Sequence, residues 1–162
     1  MKKNSKLTND IEIRTYNPLY ISPSISGEKR ETEIFSNASH FAESAIENIE
    51  QKYKTDPYFV RSSRRIITTF TVLLSVTKPI LDGRQPTPVD ILNLIADFSK
   101  VKRYQDAFEE HCKELDGWMA DAYVNILEYL KHDITGDKAE TTKEHAKALR
   151  DMAKTYLATL KA

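Results

Sequence analysis

Four histidines, one cysteine and a scatter of carboxylates are the side chains in this 162-residue sequence from which metal or nucleophilic chemistry would have to be built. A helical metal site needs ligands one turn apart. His40, His111, His132 and His145 make no such pair with one another, and no HExxH occurs. His111 and Cys112 are chain neighbours, so on a helix they point about 100° apart and do not share a tetrahedral ion. Cys112 falls on an apolar stripe, where a thiol acts as inert packing. Gly27, Gly83, Gly117 and Gly136 stand alone, so neither a Walker loop nor a dinucleotide turn is present. The acids Glu109, Glu110, Glu114 and Asp116 cluster, but Glu110 and Glu114 have the spacing of an ordinary solvated helix face. The expectation is therefore no catalytic residue, no metal and no cofactor.

Charge is the more informative pattern. Lys plus Arg and Asp plus Glu both number 24, so no global field draws in nucleic acid or anionic lipid. Locally the balance is uneven. Residues 61–86 carry Arg61, Arg64, Arg65, Lys78 and Arg84 against Asp82, a net of +4, whereas residues 104–134 sum to −6. Arg61, Arg64 and Arg65 lie within one helical turn of one another. With Lys100, Lys102 and Arg103 they are the candidate residues for a phosphate backbone or an acidic partner. Few aromatic residues interleave with them, which keeps nucleic-acid binding as the alternative rather than the leading expectation.

The elements that would position these groups are helices. Phe41, Ala42, Ala45, Ile49 and Tyr53 recur at three- and four-residue steps and predict a first helix from Ser36. Asp56-Pro57 is a cap followed by proline at the first helical position, and it opens a second helix that is apolar around most of its circumference. Pro79 is expected to kink or end that helix, because it lacks the N–H owed to Ser75. Thr87-Pro88-Val89-Asp90 repeats the start signal for a third helix. A fourth carries one long stripe from Tyr104 through Phe108, Cys112, Leu115 and Met119 to Leu130. Gly117 within it marks a kink or the close approach of a neighbour. The fifth has a thin stripe of Ala146, Leu149, Ala153, Tyr156 and Leu160, suited to the periphery or to pairing with a second subunit.

Residues 1–35 differ in composition, with Pro18, Pro23, Gly27 and no helical stripe, and read as an extended or flexible arm. Ile11 to Tyr16 alternates as a short strand would, and Tyr20 and Ile21 suit a groove. The expected architecture is all-α: a bundle of about five helices over residues 36–162, preceded by that arm. Ile66 to Val76 is the most apolar window and far shorter than the roughly 20 residues a bilayer span requires. With a single cysteine and no signal-like apolar run near Met1, a soluble cytoplasmic protein is expected. Its expected role is a non-enzymatic interaction or assembly subunit. It would meet another protein or a second copy of itself through Ile11, Ile13, Tyr16 and Tyr20 of the arm and the exposed faces of the C-terminal helices.

Overall fold

The computed structural model describes residues 17–161, and side chains through residue 160. Among the described residues every regular element is helical. Eight α-helices follow one another: α1 (Gly27–Glu47), α2 (Gln51–Lys54), α3 (Pro57–Asp82), α4 (Pro88–Ala96), α5 (Val101–Cys112), α6 (Gly117–Tyr129), α7 (Ala139–His145) and α8 (Lys147–Lys161). A 3-10 turn, Phe98–Lys100, precedes α5, and a π-turn, Leu130–Ile134, extends α6. No helix is long and apolar enough to cross a membrane among the described residues.

The all-α class agrees with the sequence pattern, whereas the expected number of about five helices does not, for physical reasons that differ along the chain. The stripe from Tyr104 to Leu130 breaks into α5 and α6. Lys113, Glu114 and Leu115 each bond back three residues, and Gly117 takes a left-handed φ of 67°. A Cβ on Gly117 would meet nothing within 4 Å, so the glycine serves the turn and not a close approach. The fifth stripe keeps to one helix, α8, and a separate short helix, α7, precedes it and ends at Ala146. At Pro79 the opposite happens: α3 runs on to Asp82 and stops at Gly83, whose φ of 69° supplies the left-handed cap. Pro79 leaves the Ser75 carbonyl without its helical N–H but does not end the helix.

Helix α3 is the axis of the bundle. Asp56 accepts hydrogen bonds from the N–H groups of Tyr58 (3.0 Å) and Phe59 (3.3 Å), and Pro57 fills the first turn, so the helix starts where the sequence signalled. Thr69 to Lys78 are buried without interruption, because α1, α4 and α5 pack around them. Hydroxyls on this stretch are satisfied locally: Thr71 donates to the Ile67 carbonyl and Thr77 to that of Leu73, both at 2.7 Å. The Ser75 Oγ is buried without a partner.

The first helix starts nine residues earlier than Ser36. Its buried face is Glu31, Ile34, Ala38, Ala42 and Ile46, and the charged residue at the head of that stripe disguised its beginning. Ahead of it, residues 17–26 are irregular but attached. Leu19 and Ile21 are buried, and Gln85 both accepts from the Ile21 N–H (2.7 Å) and donates to its carbonyl (2.6 Å). Asn17 donates to the Pro86 carbonyl. The described part of the expected arm is thus joined to the α3–α4 loop, while the strand expected over Ile11 to Tyr16 lies outside the described residues.

Where α3 ends, its last buried residue is charged, and a network gathers around it. The Lys78 side chain is 9% exposed and donates to Asp82 (2.8 Å) and to the Tyr104 hydroxyl (3.3 Å), with Asp90 at 3.8 Å. Arg84 forks onto Asp90 with two 2.8 Å bonds, Asp90 also accepts from the Thr87 N–H, and Arg103 reaches Asp82 at 2.9 Å. The network therefore joins α3, the loop, the α4 cap and α5.

The hydrogen bonds from Lys78, Arg103 and Tyr104 hold the Asp82 carboxyl well below its ordinary value of 3.8. Burial alone would raise Asp90, but Arg84 and the Thr87 N–H outweigh it and the net shift is also downward. Both carboxylates thus lend stability that is whole above about pH 4–5 and withdrawn as pH falls through the depressed values. Replacing Asp82 by Asn is expected to flatten the acid limb of the melting temperature measured between pH 5 and 2. Parallel limbs for variant and parent would disprove the assignment. Separately, Ser75→Ala removes a buried hydroxyl that has no partner, and is expected to raise stability by about 1 kcal/mol in denaturant titration. A loss of similar size would show that the hydroxyl is bonded.

Candidate functional site

The N-terminal half of α3 presents Tyr58, Arg61, Ser62 and Arg65 along one face, at the i, i+3, i+4, i+7 spacing of a helical stripe. The facing wall comes from Tyr129 and Asp133 at the end of α6 and its π-turn, and from Thr142 and His145 of α7. Together they enclose a cleft of about 180 Å³. It opens into a second depression of about 440 Å³ that shares Arg65, Tyr129 and Asp133 and adds Asn125, Glu128 and Lys138. The Tyr58 hydroxyl lies 3.0 Å from His145 Nδ1, and the two rings meet edge to face. The Arg65 guanidinium stands 4.1 Å from the centre of the Tyr129 ring. Burial pushes the Tyr129 phenol up to about 12 against the pull of Arg65, so it stays a neutral surface at physiological pH. Among the described residues no carboxylate lies at ion-pair distance from Arg61 or Arg65.

A π-turn shapes the far wall. Thr135 N–H donates five residues back to the Leu130 carbonyl at 2.9 Å, and the Thr135 hydroxyl ties the turn to Gln105 of α5. The chain then doubles back so tightly that a Cβ at Gly136 would overlap the Lys131 carbonyl oxygen and lie 3.0 Å from its carbon.

The six basic residues singled out in the sequence do not form one surface. Arg64 turns away from the cleft and pairs with Glu43 of α1 at 2.7 Å. Lys100, Lys102 and Arg103 belong to the opposite end of the bundle, beside the last turn of α3, which is about 25 Å along the helix from Arg65. There Arg103 is engaged by Asp82 and Lys102 by Asp106. Of the expected partner-binding residues, Tyr20 is half-buried against the body, and Ile11, Ile13 and Tyr16 lie outside the described residues.

A polar cluster that the sequence did not reveal joins α1 to α5 and α6. Glu31 is 8% exposed, lies 3.2 Å from His111 Nε2 and accepts a hydrogen bond from the Tyr123 hydroxyl. Burial works to raise the Glu31 carboxyl, but His111 and Tyr123 outweigh it and leave it lowered. Nearby, burial, with Glu109 and Glu31 adding, pushes the Cys112 thiol up to about 11. Cys112 is therefore a neutral thiol at physiological pH, a poor nucleophile. Among the described residues no group of three or more His, Cys, Asp or Glu side chains is placed to hold a metal ion.

The second notable surface is apolar. Helix α8 is bound to the body over its first half: Leu149 and Ala153 are buried, as is Ala146 just before it, and Arg150 donates to the Ile95 and Ala96 carbonyls that end α4. The same stripe continues to Tyr156 and Leu160, which are 53% and 54% exposed. Beside it run a small apolar groove, with Phe41, Ile49, Leu92 and Met152 in its wall, and a broad open one of about 760 Å³ between Tyr53 and Tyr156.

Comparison with protein-family models, with curated proteins and with solved structures gives no match for this chain. Because the π-turn and Gly136 set the far wall of the cleft, Gly136→Ala is expected to cost at least about 2 kcal/mol. That corresponds to a fall of roughly 4–8 °C in melting temperature by calorimetry. An unchanged melting temperature would show that the turn relaxes freely.

Proposed function

We propose that this chain is a non-enzymatic assembly subunit that docks through α8 onto a second copy of itself. The observation that carries the reading is the stripe of α8, buried at Leu149 and Ala153 and left open at Tyr156 and Leu160. A helix held firmly by its first half and presenting apolar side chains on its second half offers a pre-ordered docking edge, with little left to immobilise on binding.

The occupant is a second copy because the surface is self-complementary in charge. The broad groove beside α8 carries both signs of charge: Glu50 and Glu144 line it from the body, Lys147 and Asp151 line it from α8, and Lys154 is exposed further along the helix. Two copies related by a two-fold axis would set Lys147 and Lys154 of one α8 against Glu50 and Glu144 of the other copy. The high Cys112 thiol value argues against that side chain as a nucleophile. The alternative of a nucleic-acid protein loses its continuous basic track, since Lys102 and Arg103 are engaged far from Arg61 and Arg65.

Sedimentation equilibrium across about 5–200 µM tests the reading. The protein is expected to populate a dimer that dissociates in the double variant Tyr156→Ser, Leu160→Ser, with its helical circular dichroism and melting temperature retained. A parent chain that stays monomeric to the top of that range, or a double variant that dimerises as the parent does, would overturn it.

A further inference from the structure

We propose that the cleft between α3, the π-turn and α7 is a binding site for a phosphomonoester whose organic part carries hydroxyl or amino groups, such as a sugar phosphate or a mononucleotide. Arg61 and Arg65 sit one helical turn apart on the wall of a single cleft, with no carboxylate at ion-pair distance among the described residues. Of the other described arginines, Arg64 is engaged by Glu43, Arg84 by Asp90, Arg103 by Asp82 and Arg150 by the end of α4, while Arg30 stands alone on α1, away from this cleft. Two guanidinium forks that converge on a cleft form a receptor for an anion.

The number of donors selects the anion. One guanidinium already matches both oxygens of a carboxylate, whereas the three outer oxygens of a phosphomonoester use two forks. The stacking of Arg65 on Tyr129 limits the motion of its fork, so less freedom is lost on binding.

The adjoining depression decides what the rest of the ligand must be. Its wall holds Asp133, Glu128 and Asn125, which accept hydrogen bonds, beside Lys138. Hydroxyl or amino donors fit against those acceptors. The two depressions share three side chains, and the larger alone falls within the roughly 300–1,000 Å³ usual for small-molecule sites. The site lies apart from Tyr156 and Leu160, so it does not depend on self-association.

Thermal shift and calorimetric titration at constant ionic strength test the proposal, with inorganic phosphate, ribose 5-phosphate, AMP, adenosine and a 20-nucleotide single strand as probes. Ribose 5-phosphate or AMP is expected to raise the melting temperature by about 3–6 °C at a tenfold excess over its Kd, above any effect of inorganic phosphate, and adenosine is expected to have none. Arg61→Ala and Arg65→Ala should each weaken binding at least about tenfold. Arg65→Lys, which keeps the charge but not the fork, should also weaken it, and Arg64→Ala should leave it unchanged. Asp133→Asn should narrow the preference for the monoesters over inorganic phosphate. No shift with either monoester at 10 mM would overturn the proposal. So would a response that Arg64→Ala weakens as much as Arg65→Ala, or binding of the single strand alone.

Discussion

Burying one helix on all sides is the constraint around which this molecule is organised. From Thr69 to Lys78 helix α3 has no solvent face, so each polar group on it needs a partner within the protein. Threonine meets that demand cheaply, by bonding back to the preceding turn of its own helix, as Thr71 and Thr77 do. Lysine does not. Lys78 requires partners of its own: Asp82 comes from the last turn of the same helix, while Asp90 and the Tyr104 hydroxyl are brought in from α4 and α5. An ion pair of this kind adds little net stability over a hydrophobic replacement, but removal of one member leaves a charge stranded. Its structural effect is to make the α3–α4 loop, the α4 cap and α5 mutually dependent.

What could be read from the sequence follows from how local each signal is. Asp56-Pro57 and Thr87-Pro88 place helix starts correctly because a cap is a contact between residues two or three apart. Signals fail where tertiary partners decide. Glu31 occupies a buried stripe position that periodicity assigns to an apolar residue, and only His111 and Tyr123, some 80 and 92 positions away, make that acceptable. Cys112 and Leu115 keep helical spacing across a turn that is not helical, so two helices read as one. The π-turn leaves no periodic trace at all, although the lone Gly136 beside it was a legible irregularity.

Arginine spacing shows the same limit in the candidate site. Arg61, Arg64 and Arg65 are equivalent by position in the chain, yet a helix sends consecutive residues about 100° apart. Arg64 thereby meets α1 and its Glu43, while Arg61 and Arg65 face the gap left between α3 and the far wall. Joining them to Lys100, Lys102 and Arg103 required a distance that the sequence does not carry. The length of α3 separates the two groups, and the carboxylates of the Lys78 network had already claimed Arg103.

The two open surfaces meet at α7. This helix has no buried residue of its own; it is positioned by contacts with the π-turn on one side and α8 on the other. His145 stands in the wall of the phosphate-sized cleft through its contact with Tyr58, and in the border of the groove beside α8 as well. A short helix without core anchors is the part of a bundle most easily displaced, because few buried contacts resist its movement. Coupling between a ligand in the cleft and a partner on α8 would therefore run through the orientation of α7. Its strength would be limited by how differently the two occupied states hold His145. Apart from His145, the cleft and the docking edge have separate residues and separate chemistry, and the fold gives them one shared and lightly anchored wall.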